Sequence, residues 1–159
     1  MVGIGFRAGP GEVYYSICKR LDDNSRSISL DREVIVVPTA LEGPDLLRFM
    51  RINMADVISA HKPDAGFVKQ ADYYPQATKN TARIHLEGVI QEAVASSSIL
   101  HFDSGQKHKL RALLDISESE LKALKKGDKV YMGLPDWDVG SDDAPRESVL
   151  SAVAATYLP

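Results

Sequence analysis

Residues 65–68 of the chain read Ala65-Gly66-Phe67-Val68, an apolar run that ends at Lys69. Four such residues in succession are typical of a strand buried on both faces of a sheet, whereas a half-buried strand alternates apolar and polar side chains. The run therefore predicts a short central strand.

Amphipathic stretches flank this strand on both sides. Before it, residues 46–58 place apolar side chains at three- and four-residue steps, and Pro44 suits the first turn of the helix that this spacing predicts. After it, Thr78–Ala95 carries a second apolar stripe with the same period. Strands joined by helical crossovers run parallel, so we expect a parallel part of a sheet here.

The N-terminal third has the composition of β-structure. Runs rich in β-branched and aromatic residues occupy Val2–Arg7, Glu12–Lys19 and Ser27–Val37, and turn sequences such as Ala8–Gly11 separate them. Three strands joined by short turns predict an antiparallel meander. A fifth strand is predicted downstream at Ser98–Phe102.

The C-terminal third is predicted to be helical with interruptions. Helices are expected at Gln106–Leu114, at Ser117–Gly127 with a serine cap, and at Glu147–Tyr157, with an acidic loop over Gly133–Asp143. The predicted fold is therefore α/β, with a five-stranded mixed sheet, helices on both faces, and one domain over residues 1–159.

Composition limits the function classes. The net charge of −3 and pI near 5.8 argue against a protein that coats nucleic acid through charge alone, although a local basic cleft remains compatible. Cys18 is the single cysteine, which excludes an internal disulfide and a cysteine-based zinc site. The N-terminus does not resemble a signal peptide and no stretch is long enough to span a bilayer, so we expect a cytoplasmic protein without membrane partners.

The order of elements and several local stretches resemble the ribonuclease H-like fold in its RuvC-type Holliday-junction resolvase branch. The first is Gly3-Ile4-Gly5, which is similar to that family's opening Gly-Ile-Asp. Lys62–Lys69 resembles the family's Pro-Asp-x-(three apolar)-Glu strand, and Gln106–Lys109 resembles its lysine-bearing segment. Arg146–Val153 resembles its Ala-Asp-Ala-Leu-Ala-Ile-Ala ending. A small bacterial group of resolvase-like proteins without assigned activity, which also has lysine at the second site, is similar to the chain as well.

The resemblance implies a damaged catalytic centre. Resolvases hold two Mg²⁺ ions on three or four acidic side chains. In this chain Gly5 and Lys69 stand at the first two acidic positions, and only Asp143 and Glu147 remain where the last acids would lie. A lysine ammonium repels a divalent cation, so no metal site and no cofactor are expected. Lys69 is instead expected to pair through its charge with Glu147 or Asp143, directly or through a shared water; the alternative is a lysine at the end of a strand that points into solvent.

The same resemblance predicts a location for six basic residues. It brings them to one end of the sheet, where they would form a groove for a phosphate backbone, and they are Arg7, Lys69, Lys79, Arg83, Lys107 and Lys109. Scattered surface charge is the alternative interpretation.

Three hypotheses follow. The leading one is a non-catalytic resolvase-like module, or pseudoenzyme, whose partner is nucleic acid or another protein. The second is a divergent Mg²⁺-dependent endonuclease that uses Glu147, Asp143 and a further acid such as Glu12 or Glu87. The third is a structural homodimer formed through the helix at Thr78–Ala95, because resolvases dimerise through the corresponding helix.

Overall fold

A computed structural model describes residues 1–20, 28–72, 81–132, 134 and 142–159. Within these ranges the chain forms five strands and five helices. In chain order they are β1 (Val2–Ala8), β2 (Glu12–Arg20), β3 (Ile28–Val36), α1 (Gly43–His61), β4 (Ala65–Lys69), α2 (Thr81–Ala95), β5 (His101–Gly105), α3 (Lys107–Leu114), α4 (Glu118–Lys126) and α5 (Asp143–Ala155).

The strands form one mixed sheet in the order β3-β2-β1-β4-β5. The first three strands pair antiparallel, whereas β4 runs parallel to both β1 and β5. All five residues of β4 are buried, as the apolar run predicts. The antiparallel meander and the five-stranded mixed sheet are therefore confirmed.

The sheet separates two hydrophobic cores, one on each of its faces. Ile4 and Phe6 pack with Met54 in a core that α1 and α2 cover. On the opposite face, Phe67 of β4 packs with Val149 of α5 in a core that α3, α4 and α5 complete. Helices thus cover both faces, as the sequence predicts.

Two elements, β5 and α5, do not have the predicted boundaries. Strand β5 begins at His101 rather than at Ser98, because its register is set by parallel pairing with β4, in which Ala65 lies opposite His101. Leu100, inside the predicted range, lies outside the strand and is 80% exposed. The last helix begins at Asp143 rather than at Glu147, with Pro145 in its first turn, a position where a proline costs no helical hydrogen bond.

The ends of β5 and α5 also differ from the prediction, at Gly105 rather than Phe102 and at Ala155 rather than Tyr157. The other predicted boundaries agree within one residue or lie outside the described ranges. The Ser117 side chain accepts a hydrogen bond from the Glu120 backbone N–H at 3.1 Å and caps α4, and Gly127 is the C-cap of this helix. The predicted starts at Ser27 and Thr78, and most of the predicted loop at Gly133–Asp143, are outside the described residues. None of the helices in the described ranges has both the length and the hydropathy needed to cross a membrane.

Candidate functional site

Two adjacent parallel strands bring Arg7 and Lys69 to the same edge of the sheet. Phe6 lies opposite Val68 in the register of β1 and β4, so each of the two cations follows directly after a paired residue. Alternation along each strand places both side chains on the face that α5 covers. Arg7 is 17% exposed at its side chain, and Lys69 is 1% exposed.

Helix α5 lies directly on this face of the sheet. An ideal Cβ added to Gly3 would lie 2.5 Å from the carbonyl oxygen of Ala152, so the strand approaches the helix closely at glycine. Next to it, the Ser16 and Ser148 hydroxyls form a buried hydrogen bond of 2.7 Å between β2 and α5. This close packing holds Glu147, in the first turns of α5, above the ends of β1 and β4.

Glu147 is 2% exposed, and cations engage both of its carboxylate oxygens. Arg7 Nε donates to Oε2 at 2.5 Å, and Lys125 Nζ lies 2.8 Å from Oε1. Burial alone would raise the pKa of Glu147, but the positive charges of Arg7, Lys69 and Lys125 outweigh it and lower that pKa to about 2. The carboxylate is therefore ionised and neutralised from within the protein.

Lys69 is buried rather than directed into solvent, and among the described residues it forms no direct ion pair with Glu147 or Asp143. Lys69 Nζ donates to the Gln70 carbonyl oxygen at 2.7 Å and to Asp72 Oδ1 at 3.1 Å. It interacts with Glu147 through its charge at longer range, and burial lowers the pKa of Lys69 despite the nearby carboxylates of Glu147 and Asp72. The predicted charge interaction with Glu147 is therefore present, but the direct contact is made with Asp72, because the backbone turn after β4 brings Asp72 back within reach of the ammonium group.

Lys125 and Asp72 are the two members of the site that sequence reasoning missed. Lys125 belongs to the last turn of α4, and this turn ends against the start of α5. Asp72 follows Lys69 by three residues and also accepts the Lys107 backbone N–H at 3.1 Å. Lysine in the last turn of a helix and aspartate three residues after a strand are weak signals, so neither stood out. We call Arg7, Lys69, Asp72, Lys125 and Glu147 the Glu147 cluster.

The remaining acidic candidates lie around this cluster. Asp143 is half exposed, with its Oδ2 atom 3.6 Å from Lys125 Nζ. Glu87 is buried and pairs with Arg83 at 2.6 Å, and burial raises the pKa of Glu87. Glu12 lies at the start of β2, in the hairpin beside Gly9.

The predicted basic groove is only partly assembled. Arg83 joins the cluster, since its Nη2 atom donates to the Lys69 carbonyl oxygen at 3.1 Å. Arg7, Lys69 and Arg83 are therefore gathered at one point, but they are largely buried. The next two cations of the set are more exposed and are paired with carboxylates, Lys107 with Glu118 and Lys109 with Asp103. Lys79 lies outside the described residues.

The residues at this point do not fit the pair of Mg²⁺ ions that the resemblance implies. Both oxygens of Glu147 already contact cations, Lys69 adds a third positive charge at longer range, and Gly5 offers no ligand. Among the described residues no group of three or more histidine, cysteine, aspartate or glutamate side chains is arranged to hold a metal ion. Hard divalent cations need several oxygen ligands, and the cluster provides cations in their place.

Solved structures similar to the chain are resolvases. Thermus thermophilus RuvC superimposes with a TM-score of 0.75 at 13% identity, covering 99% of this chain and 94% of that one. T. thermophilus RuvC in complex with a Holliday junction substrate gives 0.73 with the same identity and coverage. The yeast mitochondrial Holliday junction resolvase gives 0.54 at 14% identity, covering 97% of this chain and 78% of that one.

No protein-family model and no curated protein sequence matches the chain. The likeness therefore rests on the strand order, the two helical layers and nearly complete structural coverage. At such low identity a structural match establishes the fold and not the activity. The chain has the RuvC-like form of the ribonuclease H-like fold.

Proposed function

We propose that the chain is a non-catalytic, resolvase-like module that binds nucleic acid. The observation that carries this proposal is the engagement of both Glu147 oxygens, by Arg7 at 2.5 Å and by Lys125 at 2.8 Å. A divalent cation at this carboxylate would meet the positive charges of Arg7, Lys69 and Lys125, which already neutralise it in a buried ion network. A cytoplasmic location is part of the same proposal.

The fold supports nucleic acid as the ligand class. T. thermophilus RuvC, which shares the fold over 99% of this chain, is solved with a Holliday junction substrate. Binding to a phosphate backbone requires cations and shape, but it does not require the acidic residues that cleavage needs. A chain that keeps the fold and loses the acids can therefore keep binding after losing catalysis.

The divergent nuclease has weaker support. Its candidate third acid, Glu87, is committed to Arg83, and Glu12 lies in the β1–β2 hairpin. In the described ranges neither of them joins Glu147 in a group suited to a metal. No observation of the structure favours this alternative over the non-catalytic module.

The test uses a fluorescently labelled four-way DNA junction, a duplex and a single strand. We expect anisotropy titrations without divalent cations to show binding to at least one of them. Incubation with Mg²⁺ or Mn²⁺ should leave the DNA intact on denaturing gels. Cleavage that disappears in Glu147→Gln would establish the nuclease alternative. Failure to bind any DNA or the matching RNA probes would reject the proposal.

We also propose that two copies of the chain associate through α1 and α2. A groove of about 660 Å³ runs between these helices, with Leu47, Ile84 and Val89 among its apolar residues. Ile84 is 54% exposed, and Gly88 has open space where a side chain would be. An exposed apolar groove with a small residue allows close approach of a second helix.

A further inference from the structure

A cleft of about 280 Å³ adjoins the Glu147 cluster, between the first turns of α3 and α5 and the length of α4. Four lysines line it: Lys107, Lys122, Lys125 and Lys126. The protein as a whole carries a net charge of −3, so this concentration of cations is local. It lies beside the centre that the resolvase fold uses, rather than over it.

Carboxylates of the cleft are already committed to other cations. Glu118 pairs with Lys107 at 3.0 Å and with Arg111 at 3.4 Å. Asp143 lies 3.6 Å from Lys125, the same ammonium group that binds Glu147. Asp72, the third carboxylate of the cleft, pairs with Lys69 at 3.1 Å. The charge of Lys122 acts on Glu118, four residues before it on α4, but neither Lys122 nor Lys126 is in direct contact with a carboxylate of the cleft.

Lys122 and Lys126 are exposed and, within the described part of the chain, take part in no hydrogen bond or ion pair. They lie four residues apart on α4, so their side chains leave the same face of the helix. Four residues advance a helix by about 6 Å, and nucleotides of one DNA strand advance by about 3.4 Å each. The two lysines, which we call the α4 lysine face, are thus spaced by roughly two nucleotide steps, so each ammonium group can meet a different phosphate of one strand.

We propose that the α4 lysine face binds the phosphodiester backbone of nucleic acid, an inference that rests on the proposed function. The chemistry of the cleft favours a phosphate ligand over an acidic protein. Leu121 is the apolar residue of the cleft and is 3% exposed, so a protein partner would find no accessible apolar anchor. Lysine binds phosphate as a point charge and needs no fixed partner geometry.

The α4 lysine face differs from the basic groove that the sequence predicts. Arg7, Lys69 and Arg83 hold the protein together, because each is largely buried and donates to a carboxylate or a backbone carbonyl. Lys122 and Lys126 are free to release counterions when a polyanion approaches. The phosphate backbone would therefore bind at α4, next to the Glu147 cluster, rather than at the cluster itself.

The experiment compares the salt dependence of binding for three proteins. The probe is a labelled four-way DNA junction, or whichever probe binds best in the test above, titrated between 50 and 200 mM NaCl. The test variant is Lys122→Ala/Lys126→Ala. The control, Lys19→Ala/Lys62→Ala, removes the same two charges from exposed lysines at the opposite end of the sheet. Circular dichroism melts check that both variants fold.

Removing one lysine–phosphate interaction should reduce the slope of log K against log [salt] by about 0.9. We expect the test variant to reduce the slope by about 2 and to weaken binding about tenfold or more at 100 mM NaCl, while the control keeps the wild-type slope. Wild-type binding with an unchanged slope in the test variant would overturn this inference and leave the proposed function intact. The lysines would then serve another partner. Wild-type protein that binds no nucleic acid would overturn both.

Discussion

The backbone nitrogen of Ala152 in α5 lies 2.0 Å from the position that a Cβ on Gly5 would occupy. The carbonyl oxygen of Ser148 is 2.3 Å from the same point. Both neighbours are backbone atoms and cannot move aside as a flexible side chain would. A side chain at position 5 and the present position of α5 therefore exclude each other. Restoring an acid there would require the helix to shift.

We therefore expect Gly5→Ala to lower the free energy of unfolding by at least about 2–3 kcal/mol, because one methyl group overpacks the strand–helix contact. Urea denaturation measures this. The matched control is Gly11→Ala, whose added Cβ would meet nothing within 4 Å. Equal stability of Gly5→Ala and the wild type would mean that α5 does not pack on β1 as described.

Glu147→Gln should destabilise the protein by about 3 kcal/mol at pH 7, because it removes the anion that three cations share. This figure follows from a pKa lowered from 4.5 to about 2, at about 1.4 kcal/mol per pH unit. A lowered carboxyl pKa stabilises the fold above pH 4.5, and this stabilisation is lost as the pH falls toward 2. The gap between variant and wild type should therefore close over that range.

Urea denaturation at a series of pH values checks this expectation. Glu118→Gln is a suitable control, since Glu118 also pairs with two cations but is exposed to solvent, where ion pairs contribute little. A gap that stayed constant between pH 7 and pH 2.5 would contradict the ion network.

Arg7 and Lys69 should respond differently to replacement by methionine. Arg7→Met leaves a buried Glu147 oxygen without its partner and should cost about 1–3 kcal/mol, a figure reduced because Arg7 is partly exposed and Lys125 remains. Burial of the charged Lys69 ammonium group costs free energy, which is why its pKa is lowered. Lys69→Met removes this cost, so the free energy of unfolding at pH 7 should stay within about 1 kcal/mol of the wild type or rise.

The alkaline side gives a second readout for Lys69. Because its pKa is lowered, Lys69 releases its proton at a lower pH in the folded protein than in the unfolded chain. Stability should therefore rise as the pH increases from this lowered pKa toward 10.5. This component should be absent in Lys69→Met. A large loss of stability in that variant at pH 7 would instead make Lys69 a required counter-ion of the carboxylates.

Millimolar Mg²⁺ or Mn²⁺ should leave the thermal midpoint almost unchanged. A ligand stabilises a protein only when its concentration exceeds the dissociation constant, and the Glu147 oxygens are already occupied by Arg7 and Lys125. Differential scanning fluorimetry with and without each cation measures this. An upward shift that disappears in Glu147→Ala would restore the nuclease alternative.

Ile84→Glu should disrupt self-association through the α1–α2 groove, because it places a charge on an apolar surface that the second copy would bury. Sedimentation equilibrium at tens of micromolar protein should show dimers for the wild type and monomers for the variant. Leu100→Glu changes an exposed apolar residue outside the groove and should remain dimeric. A monomeric wild type would reject this mode of association.

The sequence by itself determined the order and type of the elements. The apolar run at β4, the helical periods on either side of it and the turn at Ala8–Gly11 are local patterns, and the structure reproduces each. Even β5 was recognised as a strand, although its polar residues Asp103 and Ser104 hid its true extent. Parallel pairing with β4 sets that extent, and pairing is not encoded in the hydrophobicity of one strand.

Only the tertiary structure decided which charges meet. The resemblance to resolvases predicted that Lys69 and Glu147 lie at one site. The cations in contact with Glu147 are instead Arg7 and Lys125, which lie 140 and 22 residues away along the chain. The distances from Arg7 and Lys125 to Glu147 depend on how closely α5 packs against the glycines of β1 and on where the last turn of α4 ends. Ion pairs form over a few ångströms, so such small displacements of packed helices select the partners, and no local sequence pattern contains them.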